Sequence, residues 1–146
     1  MRELPRELSA GELAGLFEGR TRFVERLALE RDPLTRAATL VHELPHDEQV
    51  EVLAAHPAIG RRSGLSQRSA AEQGADADPE VLAELARLNA EYEARHGFRF
   101  VVFVDRRPKA EILAVLRERI GRSTPEELHT ALGELVAIAV DRWLRQ

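Results

Sequence analysis

Phe98-Arg99-Phe100-Val101-Val102-Phe103-Val104 is the one run in the chain that reads as extended, and whether it is a strand decides the fold. Aromatic and β-branched residues favour a pleated conformation, and here they are too dense for an exposed strand. A single strand has no neighbour for its backbone groups and cannot make a sheet. The run therefore predicts a buried extended segment, or the start of a helix, within an otherwise helical domain.

The flanks agree. Upstream, Asp78 as N-cap and Pro79 at the first helical position open a long helix with Val81, Leu82, Leu85, Leu88 and Tyr92 on one stripe, closed by Gly97. Downstream, Pro108 to Ile120 reads as helical with Gly121 as its stop. Thr124, Pro125 and Glu127 then start a last helix carrying Leu128, Ala131, Leu132, Leu135, Val136, Ile138 and Ala139. An apolar face that wide predicts a central position, although part of it can serve a dimer interface instead; a homodimer is the expected assembly.

Toward the amino terminus, Ser9 and Glu12 fit a capping box ahead of Leu13, Leu16 and Phe17. A second helix is expected from Thr21 to Arg31 around Phe23, Val24 and Leu27, and Asp32 and Pro33 open a third that runs toward Val41 until Pro45 ends it. Asp47 to Ala55 forms a fourth with Val50, Leu53 and Ala54, and His56-Pro57 breaks it. Residues 57 to 78 hold much of the glycine and small polar content, with a short helix around Ser69 to Gln73. The expectation is an all-α, single-domain helical bundle over residues 1–146.

With 146 residues, 44% of them hydrophobic and 32% charged, the chain has the composition of one folded domain. A net charge of -4 argues against general nucleic-acid binding. Without cysteine there are no disulfides, thiolate nucleophiles or cysteine metal ligands, which leaves acid/base chemistry or none. A charged start and the lack of a spanning apolar stretch predict a cytoplasmic protein with a small-molecule or protein partner and no membrane association.

Three clusters can carry chemistry. His42-Glu43-Leu44-Pro45-His46 matches the H-E-x-x-H zinc motif in letters. That chemistry needs both histidines one turn apart on a continuous helix, and Pro45 forbids one, so no metal is expected and two exposed histidines at a helix junction are the alternative. His56 sits at a helix end, held by Pro57, with an imidazole suited to taking and giving a proton near neutral pH; a structural or surface role is the competing reading. Ser69 and Glu72 share a face if their segment is helical, and the same spacing is also an ordinary capping box.

Taken in order, His56-Pro57 with Ile59-Gly60, Ser69-x-x-Glu72-Gln73, Leu88-Asn89-x-x-Tyr92, Gly97-Phe98-x-Phe100-Val101 and Arg142 after Glu134 resemble the OHCU decarboxylases, which act on 2-oxo-4-hydroxy-4-carboxy-5-ureidoimidazoline. The resemblance runs from about Phe23 to the last helix. One departure is His96, where the family usually has an aromatic before Gly-Phe; another is the short amino-terminal portion.

The resemblance implies decarboxylation to (S)-allantoin in urate breakdown, with no cofactor, since the substrate's own C=N can take up the released electrons. It implies His56 and Glu72 as the catalytic pair, Glu72 orienting the imidazole and favouring its protonated form. Pro57, Ser69, Gln73 and the run Phe100, Val101, Val102, Phe103, Val104 would bind substrate, the run through its backbone, while Arg142 would face the carboxylate. For Arg142 the alternative is a solvated cation at the end of the last helix. Competing functions are a same-fold enzyme for another ureido or hydantoin ring, and a catalytically silent interaction module.

Overall fold

A computed structural model describes residues 2–59 and 78–146 and shows seven helices among them, with no strand. They are α1 (Ala10–Phe17), α2 (Arg22–Leu27), α3 (Pro33–Glu43), α4 (His46–Ala54), α5 (Pro79–His96), α6 (Lys109–Ile120) and α7 (Thr124–Leu144). The all-α expectation holds.

Local chemistry sets most of the boundaries. Ser9 and Glu12 form the capping box of α1, each side chain accepting from the other's backbone amide at 3.0 Å. Asp78 accepts from the Glu80 amide at 2.8 Å to start α5, and Gly97, at φ 80°, ends it in the left-handed conformation that glycine adopts without strain. Helix α2 is shorter than expected, stopping at Leu27 rather than continuing to Arg31. Beyond Leu27 the amides of Ala28, Leu29 and Glu30 bond back to Val24, Arg26 and Leu27 in tight turns, and Leu29 lies exposed. The cap of α7 is Ser123, one residue before the expected Thr124, and its hydroxyl accepts from the Glu126 amide.

Helix α7 is the axis of the bundle and packs against α1, α3, α4 and α5. Its buried Ala131, Leu132, Leu135, Val136, Ile138 and Ala139 make up the wide apolar face read from the sequence. Burial of each leucine-sized side chain in such a core contributes roughly 1.5–3 kcal/mol. Helices α5 and α6 pack on each other, and α2 fills the angle between α1, α3 and α4.

The run from Phe98 to Val104 passes through this core as neither helix nor strand, with Phe98, Phe100, Val101, Val102 and Val104 buried. Side chains take the place of a neighbouring strand: Arg119 donates to the Val101 carbonyl at 3.0 Å and Arg107 to the Val104 carbonyl at 3.0 Å. The Tyr92 ring meets Phe98 and Phe100 edge-on at 5.9 and 5.2 Å. Asp105 and Arg106, at φ 48° and 63°, then turn the chain into α6.

Candidate active site

Helix α4 ends at Ala54, and the His56 amide donates to the Leu53 carbonyl, so the imidazole is set at a helix terminus as the sequence predicts. His56 is only 5% exposed, and its Nε2 has no hydrogen-bond partner among the described residues. Two side chains fix the backbone around it. The Arg99 guanidinium donates to the His56 carbonyl at 2.6 Å while bound to Glu93 at 2.9 Å. Asn89 donates to the Ile59 carbonyl at 3.1 Å and to the Leu85 carbonyl at 2.8 Å. The histidine is thereby tied to α5 and to the start of the buried run.

Arg142 and Glu18 stand close enough to govern its charge. Burial pushes the imidazole from 6.5 down to about 4; the Arg142 cation adds to the fall, Glu18 opposes it, and Arg99 lowers it further. These surroundings favour the neutral imidazole. The protonated form expected from the sequence depended on Glu72, which with Ser69 and Gln73 lies outside the described residues. Pro57 follows His56, half-buried.

Arg142 is buried rather than solvated, which removes the alternative of an exposed cation at the helix end. Its guanidinium donates to the Leu16 carbonyl at 3.2 Å and to Glu18 Oε1 at 2.9 Å, so it caps the last turn of α1. Glu18 is the C-cap of that helix at φ 66°, a left-handed conformation that a non-glycine residue adopts at some strain. Next to it, Gly19 comes so near α4 that a Cβ there would lie 3.3 Å from the Ala55 Cβ. The close approach brings the end of α1 against the residue that precedes His56.

In the run expected to line the pocket, Val101, Phe103 and Val104 have their carbonyls engaged by Arg119 and Arg107, and the Phe103 amide lies 3.4 Å from Glu134 Oε1. The amides of Phe100, Val101, Val102 and Val104 have no partner among the described residues. Buried amides of that kind need an acceptor.

Behind the run lies a charged cluster with no sequence forecast. Glu127, fully buried, accepts at Oε1 from the Tyr92 hydroxyl and from Arg119 Nε, both at 2.7 Å, with Arg122 3.1 Å from Oε2. Burial, then the bond to Glu127, pushes the Tyr92 hydroxyl well above its ordinary value. Glu127 stands in the first turn of α7, as read from the sequence, and is also the centre of this lock. His96 is also buried, its Nδ1 2.7 Å from Thr124 Oγ1 and its ring among those of Tyr92 and Phe98, so it fills an aromatic's place.

The H-E-x-x-H string is divided: His42 lies in α3 and His46 begins α4, with Pro45 between the helices. His42 is half-buried rather than exposed, stacked on His129 with centroids 4.4 Å apart.

A family model described as OHCU decarboxylase matches residues 3–144. A 2-oxo-4-hydroxy-4-carboxy-5-ureidoimidazoline decarboxylase of Haloferax volcanii is 37% identical over 105 residues, covering 68% of this chain and 61% of that protein. One from Halalkalicoccus jeotgali is 33% identical over 109 residues, covering 72% and 62%. The match thus spans about three fifths of those relatives' length. The crystal structure of an OHCU decarboxylase in the presence of (S)-allantoin has the same fold, with a TM-score of 0.77 at 23% identity, over 92% of this chain and 96% of that one.

Proposed function

This chain belongs to the OHCU decarboxylase family, and from that membership we propose that it decarboxylates 2-oxo-4-hydroxy-4-carboxy-5-ureidoimidazoline to (S)-allantoin in urate breakdown. The observation that carries the reading is His56: an imidazole buried, unpartnered at Nε2 among the described residues, and pushed toward its neutral form by burial and by the buried Arg142. That is the arrangement a proton-transfer catalyst needs before substrate arrives.

The substrate carries its carboxylate and a hydroxyl on one carbon, next to a ring C=N. Breaking the carbon-carboxylate bond sends its electron pair into the C=N, whose nitrogen takes up a proton from solvent, and leaves an enol. His56, unprotonated at the outset, accepts the hydroxyl proton and delivers a proton to the ureido-bearing carbon, so that the enol becomes a carbonyl. Because burial makes its protonated form a strong acid, the imidazolium readily gives the proton up again. The intermediate is flat, and delivery from one fixed imidazole places the hydrogen on a single face.

Arg142 supplies positive charge for the carboxylate, and the unpartnered amides of the buried run are available to the ureido oxygen. Pro57 closes the pocket beside His56, while Ser69, Glu72 and Gln73 complete it, Glu72 orienting the imidazole. A cytoplasmic homodimer is the assembly that goes with this reading, to be checked by light scattering; no described helix is long and apolar enough to cross a membrane.

The test is to add the protein to freshly generated substrate and follow its disappearance together with the optical activity of the product. Decay faster than the spontaneous rate, with one enantiomer formed early, is expected. Decay at the spontaneous rate to racemic product would overturn the reading, and turnover of related ureido rings alone would move the enzyme to another substrate.

A further inference from the structure

The ion pair between Arg142 and Glu18 poses a chemical question. An arginine that binds the substrate carboxylate gains attraction in the ground state, but the carboxylate charge vanishes as carbon dioxide forms. An undiminished cation would hold the substrate tightly and oppose the bond cleavage it is meant to promote. Binding of that kind lowers KM and lowers kcat with it.

The structure places a counter-charge at this point. Glu18 Oε1 lies 2.9 Å from the Arg142 guanidinium, and both side chains are largely withdrawn from solvent, at 11% and 3% exposure. Glu18 stands in a left-handed backbone conformation, and its neighbour Gly19 permits the close approach to Ala55 that brings this turn beside His56. The same guanidinium is anchored on the Leu16 carbonyl, so its position is set by α1 as well as by its own helix.

We infer that Glu18 is a positioning residue of the active site, which fixes Arg142 beside His56 and offsets part of its charge so that the substrate carboxylate is oriented without being over-stabilised. The inference rests on the decarboxylation reading above. Its residue is one that reading does not use, and it acts through Arg142 without touching the reacting atoms. The charged groups acting on His56 among the described residues are Arg142, Glu18 and Arg99, and Glu18 is the one acid.

The experiment compares steady-state kinetics of the wild-type chain, Glu18→Gln and Glu18→Asp on freshly generated substrate, with thermal midpoints measured for each. Glutamine keeps an oxygen to accept from Arg142 and removes the charge; aspartate keeps the charge on a shorter arm. In Glu18→Gln, KM and kcat are expected to fall together, each roughly fivefold or more, as for a buried charge interaction left uncompensated. Glu18→Asp should recover part of kcat. A residue that merely braced α1 would lower the thermal midpoint and raise KM or leave it alone, with glutamine and aspartate alike in kcat, and that pattern overturns the inference. If Glu18→Gln fails to fold, Glu18→Asp with Gly19→Ala decides: the inference expects kcat to drop when the turn is pushed off Ala55, and unchanged kcat in both refutes it. Absence of wild-type turnover refutes the decarboxylation reading itself and is thereby distinguishable from failure of the Glu18 assignment.

Discussion

Acid should destabilise the wild-type chain relative to His56→Asn, by an amount the structure sets. In the unfolded chain His56 protonates near 6.5, and in the folded one near 4, because burial and Arg142 disfavour the imidazolium. Between those values the unfolded state holds a proton that the native state refuses, so stability falls as pH drops through the window. His56 makes no pH-dependent contribution above 6.5; the loss accumulates toward pH 4 and is complete below it. A gap of about 2.5 at ~1.36 kcal/mol per pKa unit gives about 3 kcal/mol. Asparagine has no such proton. His42, lowered by burial and by His129, and the surface carboxylates titrate in both proteins and cancel in the difference. Urea unfolding followed by the fluorescence of Trp143, from about pH 7.5 to about pH 4.5, measures this difference. Parallel stability curves for the two proteins would refute the buried, unprotonated histidine and with it the base-first role assigned to His56.

Catalysis should respond to the same substitution: folded His56→Asn is expected to lose roughly a hundredfold or more in rate and to give racemic allantoin, read by optical activity early in the reaction. Arg142→Ala should weaken binding of the carboxylate-bearing substrate more than that of allantoin, seen by comparing KM with inhibition by allantoin; equal weakening would confine Arg142 to capping α1. Arg119→Met leaves the fully buried Glu127 without its closest cation and the Val101 carbonyl without its donor, and chemical denaturation should show a loss of about 3–5 kcal/mol. A strong chelator should leave activity intact, because His42 and His46 sit on separate helices; loss of activity restored by zinc would contradict this.

Much of the fold was legible because its signals are local. The Ser9-Glu12 capping box, the Asp78-Pro79 start and the Gly97 stop each act within a few residues, and each appears where the sequence placed it. Helix α2 ends early as its apolar contacts thin out: past Leu27 the small Ala28 packs only partly against the core and Leu29 points into solvent, so little burial sustains another turn. The reading of Phe98 to Val104 as a buried segment also held, and an overlooked clue lay inside it. Arg99 interrupts an otherwise apolar run, and a cation there needs partners; it has them in Glu93 and the His56 carbonyl.

The candidate site was legible only where a residue announces its own chemistry. His56 could be chosen because imidazole titrates near neutral pH and Pro57 marks a helix end. Glu18 could not, because nothing near it in sequence distinguishes it from the chain's other acids; its meaning comes from Arg142, 124 positions away. Arg99 and the His56 carbonyl are 43 positions apart, and Asn89 and the Ile59 carbonyl 30. Side-chain bonds of this length close only after the helices have packed, so they leave no periodic trace in the sequence. The consequence bears on charge as much as on geometry. The sequence reading pairs His56 with Glu72, which lies outside the described residues, and predicts an imidazolium; among the described residues, burial and the Arg142 and Arg99 cations favour the neutral ring, with Glu18 opposing them. That balance of charge belongs to the tertiary structure, because it is set where α1, α4 and α7 meet.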